Sequence, residues 1–395
     1  MRRPARAGLV LTGGGARAAY QVGVVKAVRD ILGQPKKNPF PILCGTSAGA
    51  INAATLAVFA DDFSHAVGNL LEVWEHMRCE HIYRTDAWNI LKSGARWLSA
   101  MMLISKHNPV SLLDNDPLRE MLGRNLEFGR IQDNIDSGAL YAACVTASGY
   151  TSGQSVSFFQ GGSGLEGWER NQRIGAAVPL NLDLLLASAA LPFIFPAVKF
   201  NREYFGDGSM RQSAPIAAAI HLGAQRILVI GAGRMQEPSE RHVGPPHDPS
   251  LAQIAGHALS NIFLDALAVD VERLQRINHT LSLVPPGQLA ATGLRPIDVL
   301  VIAPSQRLDD LAGKHQRSLP RPIRTLLRGV GVSGQGRDAR GAALASYLLF
   351  EPPYTRELIA LGVADTMARR DDVRRFFGWV EASAPQPSAG REAVV

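Results

Sequence analysis

The stretch Pro41-Ile42-Leu43-Cys44-Gly45-Thr46-Ser47-Ala48-Gly49, with Ala50-Ile51-Asn52-Ala53-Ala54-Thr55-Leu56-Ala57 after it, constrains the rest of the chain more than any other. Pro41 to Cys44 reads as a short buried strand, and the alanine-rich run after Gly49 reads as a helix. Between them stands Gly-x-Ser-x-Gly, with Gly45 and Gly49 on either side of Ser47. A strand that turns at once into a helix needs a tight corner, and the glycines remove Cβ atoms that would collide there. Such a corner holds the serine hydroxyl out at the carboxyl end of a sheet, the geometry of a nucleophile elbow. The amide of Ala48, at the N-terminus of the new helix, is placed to donate to a developing oxyanion.

An earlier strand, Gly8-Leu9-Val10-Leu11, runs into Thr12-Gly13-Gly14-Gly15-Ala16-Arg17 and then a helix from Ala18 to Val28. Gly13-x-Gly15-x-x-Ala18 resembles a degenerate dinucleotide fingerprint. That reading requires a second strand with a ribose-binding acid about 20 residues on. Gln34-Pro35-Lys36-Lys37-Asn38-Pro39 stands there instead, followed by the serine strand. A glycine loop beside a nucleophile makes better sense as backbone donors, with the amides of Gly14, Gly15 and Ala16 facing an oxyanion near Ser47. Further on, Ala139 to Ala147 and Gln225 to Gly231 read as buried strands, and Gln154 to Phe159 as an antiparallel or edge partner. Ala60 to Met77, Leu184 to Ala190, Ala214 to Leu222, Ala342 to Leu361 and Asp371 to Trp379 read as helices. Leu251 to Ile277 is a longer one, with Ile254, Leu259, Ile262, Phe263 and Leu267 at helical spacing. Glu203-Tyr204-Phe205-Gly206-Asp207-Gly208-Ser209 is locally a turn signal. Asp298 to Ala303 is a last strand, expected to return to the same sheet.

At 395 residues, 46% hydrophobic and 19% charged, the chain has room for two domains or one enlarged α/β domain. The boundaries read as a core over 7–233, a C-terminal extension over 250–380 and a disordered tail over 381–395. A net charge of +6 reads plainly as solubility and more sharply as attraction to anionic partners, phospholipid surfaces or nucleic acid. No aromatic-and-basic RNA motif, zinc-finger spacing or heptad supports nucleic acid, which leaves phospholipid surfaces. Two segments suit such a surface: 88–113, with Trp88, Trp97 and Met101 among basic residues, and 314–340, where Arg321, Arg324 and Arg328 share a helix face. Ordinary packing and a solvated face are the plainer readings of the two. His65 and His76 read as surface or satisfied core residues of a helix. Cys44, Cys79 and Cys144 are an odd set in largely apolar settings, which argues against disulfides and for a reducing compartment. The apolar run after Met1-Arg2-Arg3 is too short for a signal peptide, and Leu184 to Val198 is broken by Pro192 and Pro196. A cytoplasmic protein, peripheral to membranes at most, is expected. No His or carboxylate cluster has ligand spacing, so neither metal nor cofactor is expected. A homo-oligomer is compatible with all of this.

Gly13-Gly14-Gly15-Ala16-Arg17, Gly45-Thr46-Ser47-Ala48-Gly49 and Asp207-Gly208-Ser209, in that order, resemble the three signatures of patatin-like phospholipases. Ala187-Ser188-Ala189-Ala190-Leu191-Pro192 resembles that family as well, and the match spans about Ala7 to Gly231. The part after it resembles an extension of some bacterial members. The resemblance implies a three-layer α/β/α fold with a mostly parallel central sheet and a mainly helical C-terminal extension. It implies a lipid acyl hydrolase of the phospholipase A or lysophospholipase type, working through an acyl-enzyme on a Ser-Asp dyad. By that resemblance Ser47 is the nucleophile and Asp207 its general base. Gly13 to Arg17 form the oxyanion hole, with Arg17 holding or charging it. Ala18 stands where the family has glycine, and Ser209 where it has glycine or alanine; both are small. An aspartate with an ordinary pKa of about 3.9 is a weak base, so the role demands desolvation and a direct hydrogen bond to the serine. Two rivals stand beside this. A Ser-His-Asp enzyme would draw on His221, His257 or His279, but such enzymes place the elbow later in the chain. A non-catalytic lipid-binding protein of the same fold would have little reason to keep both Ser47 and Asp207.

Overall fold

The computed structural model describes residues 6–86, 88, 111–233, 251–329, 331–332 and 341–378. The chain begins with β1 (Ala7–Leu11), α1 (Ala19–Ile31), β2 (Ile42–Thr46), α2 (Ala48–Val58) and α3 (Phe63–Glu75). Next come α4 (Asp116–Asn125), α5 (Gly129–Asp136), β3 (Ala142–Gly149), β4 (Ser155–Gly161) and the hairpin β5 (Trp168–Arg170) and β6 (Arg173–Ala177). Then follow α6 (Leu182–Ser188), β7 (Val198–Phe200), β8 (Glu203–Asp207), α7 (Ala217–His221), β9 (Arg226–Ile230) and α8 (Leu251–Ser282). The last part holds β10 (Asp298–Ile302), α9 (Leu308–His315), α10 (Arg321–Gly329), α11 (Ala342–Leu348), α12 (Pro352–Ala368) and α13 (Arg370–Phe376).

One sheet joins these strands in the order β10-β9-β1-β2-β3-β4-β6-β5, with β8 on β3 and β7 on β8. From β10 to β3 every pairing is parallel. Strand order reverses at β1, with β2 and β3 on one side and β9 and β10 on the other. Loops at the carboxyl ends of strands around such a reversal form a crevice, and the glycine loop and the serine corner both lie there. Alternate side chains of β1, β2 and β9 enter two separate cores. Leu9, Leu11, Leu43 and Leu228 face the first, which contains α1 to α3 and the C-terminal helices. Val10, Ile42, Cys44 and Val229 face the second, under α7 and α8. This is the three-layer α/β/α arrangement, and burial of each such side chain contributes about 1.5–3 kcal/mol.

The C-terminal helices belong to the first layer. Helix α12 crosses α1 at backbone contact, because Gly23 and Gly362 have no side chain between them. A Cβ on Gly23 would sit 2.1 Å from the Ile359 carbonyl oxygen, and one on Gly362 would sit 2.3 Å from that of Tyr20.

Several elements differ from the sequence expectation. Residues 203–207 are strand, not turn, because pairing with both β3 and β7 outweighs the local Gly-Asp signal. β4 is not an edge, since β6 pairs beyond it. The helix expected over 342–361 is two, broken before Pro352 and Pro353, which start α12. Helix α2 starts at Ala48, two residues early, and α6 covers Leu182–Ser188. Along α8 the buried stripe is Leu267, Val271, Leu274 and Leu281, while Ile254 is exposed. All three cysteines are free and buried. Among the described residues no helix is long and apolar enough to cross a membrane. Of the membrane-facing candidates, 88–113 lies outside the described residues except for exposed Trp88 and for 111–113. Of 314–340, residue 330 and residues 333–340 lie outside them, and in α10 Arg321 and Arg328 are exposed while Arg324 donates to the Arg317 carbonyl at 2.9 Å.

Candidate active site

Ser47 joins β2 to α2 in a left-handed conformation, φ 56° and ψ −130°. A non-glycine residue stays there only if its surroundings enforce it, at about 1–3 kcal/mol of strain. Two glycines permit the corner. A Cβ on Gly45 would stand 2.4 Å from the Gly49 carbonyl oxygen, and one on Gly49 would stand 2.4 Å from that of Leu11. A strut from α6 fixes it: the Ser47 amide donates to Ser188 Oγ at 2.9 Å, and that hydroxyl donates to the Thr146 carbonyl at 2.6 Å. Ser188 is completely buried, and its sequence context alone assigns it no role of its own. Ser188→Ala leaves a buried amide unpaired and is expected to lower stability by about 1–3 kcal/mol in urea unfolding. An unchanged midpoint would mean that the strut holds nothing.

Asp207 ends β8, and its Cα stands opposite Ala147 of β3. Its amide donates to the Ala190 carbonyl at 2.9 Å. Gly208 follows because nothing larger fits, as a Cβ there would lie 2.0 Å from the Thr146 carbonyl oxygen. The carboxyl is fully buried. Oδ1 accepts the Ser209 amide at 2.9 Å. Oδ2 has no hydrogen bond within the described residues. The Ser47 hydroxyl nonetheless favours the charged form of this carboxyl. Burial dominates and pushes the pKa up to about 6, against the opposing pull of the Ser47 hydroxyl and of the Ser209 amide and hydroxyl. Half-exposed Tyr150 packs over Gly206, and burial first, then the Asp207 charge, push its phenol up. Ser47 and Asp207, far apart in sequence, are thus brought together.

The glycine loop lies beside them. Gly14 has extended backbone, φ 172°, and Gly15 is left-handed at φ 54°. Gly15 passes directly under the C-terminal part, where a Cβ would meet the Tyr347 carbonyl oxygen at 2.3 Å. The amides of Gly13, Gly14 and Gly15 donate to no other described residue. Arg17 points elsewhere. Its buried guanidinium forms a salt bridge with Asp309, donates from Nε to Ser346 Oγ at 2.8 Å, and lies 3.9 Å from the centre of the Tyr347 ring. Its charge is therefore directed to the C-terminal helices and not into the cleft. Thr46 Oγ1 donates to Gln212 Oε1 at 3.1 Å. Behind the loop runs a buried polar chain, unremarked in the sequence. Gln21 Nε2 donates to the Thr12 carbonyl at 2.7 Å, Asn52 Nδ2 to Gln21 Oε1 at 3.1 Å, and Trp74 Nε1 to Asn52 Oδ1 at 2.8 Å. The available signal was a glutamine and an asparagine inside otherwise apolar helical runs.

A pocket of about 350 Å³ opens from Gly15, Ser47 and Ala48 and passes between α2, α3 and α4. Its walls include Ile51, Phe59, Leu70, Trp74, Met77, Leu118, Leu122 and Phe195, with Phe350 from the C-terminal part. Glu72, Val73 and Asn125 form an exposed rim. Among the described residues no histidine lines it. His221 instead stacks on Trp168 at 4.8 Å between ring centres, beside a separate small cavity, and His257 and His279 are exposed on α8. Among the described residues no group of three His, Cys, Asp or Glu side chains could hold a metal ion. A hydroxyl on a strained corner, a buried carboxyl beside it, amides with no partner among the described residues and an apolar pocket together make the parts list of an acyl-transfer site.

Comparison with known proteins gives a family and relatives. The family model for patatin-like phospholipases matches residues 9–220. A cGAMP-activated phospholipase of Pseudomonas aeruginosa is 28% identical over 213 residues, which are 54% of this chain and 55% of that one. A cUMP-AMP-activated phospholipase of Escherichia coli is 43% identical over 60 residues, 15% of this chain and 19% of that one. This chain thus spans about half of the first relative's length and about a fifth of the second's. Human GIVD cytosolic phospholipase A2, solved with methyl gamma-linolenyl fluorophosphonate, is 14% identical. That match covers 94% of this chain and 59% of the human one at a TM-score of 0.40, too low to carry an argument.

Proposed function

Since this chain belongs to the patatin-like phospholipase family, we propose that it is a lipid acyl hydrolase in which Ser47 is the nucleophile and Asp207 its general base. Ser47 Oγ attacks the ester carbonyl while Asp207 Oδ2 takes its proton. The carbonyl oxygen gains negative charge against the amides of Gly14, Gly15 and Ala48. As the tetrahedral centre collapses, the bond to the alcohol breaks and Asp207 hands that alcohol the proton. Water then attacks the acyl-enzyme, Asp207 accepts a proton from it, and the fatty acid leaves as the proton returns to Ser47. The observation that carries this reading is the buried Asp207 carboxyl, acted on by the Ser47 hydroxyl at the inner end of an apolar pocket. The pocket favours a fatty acyl chain, and its volume lies within the range of small-molecule sites.

A long-chain fluorophosphonate is expected to label the protein at Ser47, as mapped by peptide mass spectrometry. With aryl esters of increasing acyl length, kcat/KM should rise about two- to fourfold per methylene until the pocket is filled, since each buried CH₂ contributes up to about 0.8 kcal/mol. Absence of label, or label on another residue, would remove Ser47 from its role, and a flat chain-length series would remove the acyl pocket. Both relatives are named as phospholipases activated by cyclic dinucleotides, and the same regulation is proposed for this chain. Equal turnover with and without cGAMP and cUMP-AMP would end that part of the reading.

A further inference from the structure

We propose that the C-terminal segment, which lies beyond the family match, is a working part of this site: Asp309, through Arg17, holds the glycine loop in register, which makes Asp309 a positioning residue. The proposal rests on the reading of Gly14 and Gly15 as oxyanion donors. Unlike helix or strand amides, those of Gly14 and Gly15 have no partner within the described residues to fix where they point. Their place is set by what grips the loop from behind, and that grip is on Arg17, two residues after Gly15.

The described partners of the Arg17 side chain all come from the C-terminal segment. The salt bridge goes to Asp309, Nε donates to Ser346 Oγ at 2.8 Å, Nη2 reaches the Ala343 carbonyl at 3.4 Å, and the guanidinium stacks on Tyr347 at 3.9 Å. None of these partners falls within 9–220, the part the family model matches. Asp309 is the described counter-ion of this buried guanidinium, and removing the partner of a buried charge is costly, which ties the position of Arg17 to the segment. The Ser346 hydroxyl, while accepting from Nε, donates to the Ala343 carbonyl at 2.6 Å, so it is itself fixed. The Tyr347 carbonyl closes on Gly15 from the same side. The same segment puts Phe350 into the pocket wall, and Tyr83 holds it there by donating to the Leu348 carbonyl at 2.7 Å. The stretch 343–350, from α11 to two residues past its end, thus touches Arg17 and shapes the pocket.

The test compares Asp309→Asn with the unmodified full-length chain, using a short-chain aryl ester. The Asp309→Asn chain should keep a cooperative melting transition and a KM within about twofold. Its kcat should fall by about 10- to 100-fold, as expected of misplaced and not removed donors. Tyr20→Phe is the structural control. It breaks the 3.0 Å bond from Tyr20 to Asp365, which ties the same two segments together away from the loop. It should lower the melting temperature and leave kcat unchanged. Wild-type kcat in folded Asp309→Asn overturns the proposal, and so does an equal kcat loss in Tyr20→Phe. If Asp309→Asn does not fold, Ser346→Ala, which keeps the ion pair, decides: a several-fold lower kcat at unchanged KM supports the proposal and an unchanged kcat overturns it. Ser47→Ala, run in parallel, separates the two readings. Turnover surviving in Ser47→Ala defeats the site assignment itself, whereas an inactive Ser47→Ala beside a fully active Asp309→Asn defeats only the role of Asp309.

Discussion

The Asp207→Asn chain is expected to lose ester turnover by about 10³-fold while resisting denaturation better than the unmodified chain. The rate falls because an amide cannot accept the Ser47 proton, and a positioned general base contributes about 10²- to 10⁴-fold. Stability rises for a separate reason. Burial lifts the carboxyl from an ordinary aspartate value of 3.8 to about 6. Between those values the folded chain binds the proton more tightly than the unfolded chain does. Stability therefore falls as pH rises through that window and stays lower above it, by up to about 3 kcal/mol for a shift of some two units. Asparagine keeps the Oδ1 acceptor for the Ser209 amide and never ionises. Its advantage should be present at pH 7.5 and shrink toward zero as the pH drops to about 4, as read from urea unfolding at the two pH values. The unmodified chain should in turn lose kcat/KM as pH falls through about 6, where its base becomes protonated. Turnover within tenfold of the unmodified chain would remove Asp207 as the base. Equal stability of the two chains at pH 7.5 would mean that the carboxylate is not held against its preference.

That carboxyl also marks how far the sequence could be read. Ser47 was legible because its signal is local: a strand, a corner that demands glycines at 45 and 49, and a helix, all within one stretch. Asp207 was visible only through its resemblance to a known signature, since Gly206-Asp207-Gly208 by itself reads as a turn. The ladder to β3 that makes it a strand end is made by residues about 60 positions away. The partners of Arg17 lie still farther along, with Ser346 329 residues from it, and no spacing rule spans that distance. The Arg17 side chain was expected to hold or charge the oxyanion loop, and the structure gives its charge a counter-ion in α9. Ser188 was hidden differently. A serine inside Leu184-Leu185-Leu186-Ala187-Ser188-Ala189 looks like a helix-filling residue until the strand it reaches is known. The parallel strands were easier, because β1, β2 and β9 are apolar on both faces, as strands buried between two helical layers must be.

Ser47→Ala and Ser47→Gly should be equally inactive and unequally stable. Either substitution removes the oxygen that forms the acyl-enzyme, and turnover is expected to fall by about 10⁴-fold or more, since loss of a nucleophile disables the whole catalytic unit. Neither chain should take up a fluorophosphonate. The difference lies in the backbone. At φ 56° and ψ −130° the Cβ of serine or alanine is strained, and glycine is free of that strain. Set against the extra unfolded-state entropy of glycine, Ser47→Gly should be about 1 kcal/mol more stable than Ser47→Ala. In a helix or strand the order would be reversed. Alanine proving the more stable in urea unfolding would mean that no strain is stored at this corner. Turnover in either chain would mean that the acyl group is carried elsewhere. The comparison matters because the strain has visible supports in the Gly45 and Gly49 contacts and the Ser188 strut, none of which touches substrate. A corner held at a loss in stability, next to a carboxylate held at a second loss, is what a site selected for turnover and not for firmness would contain.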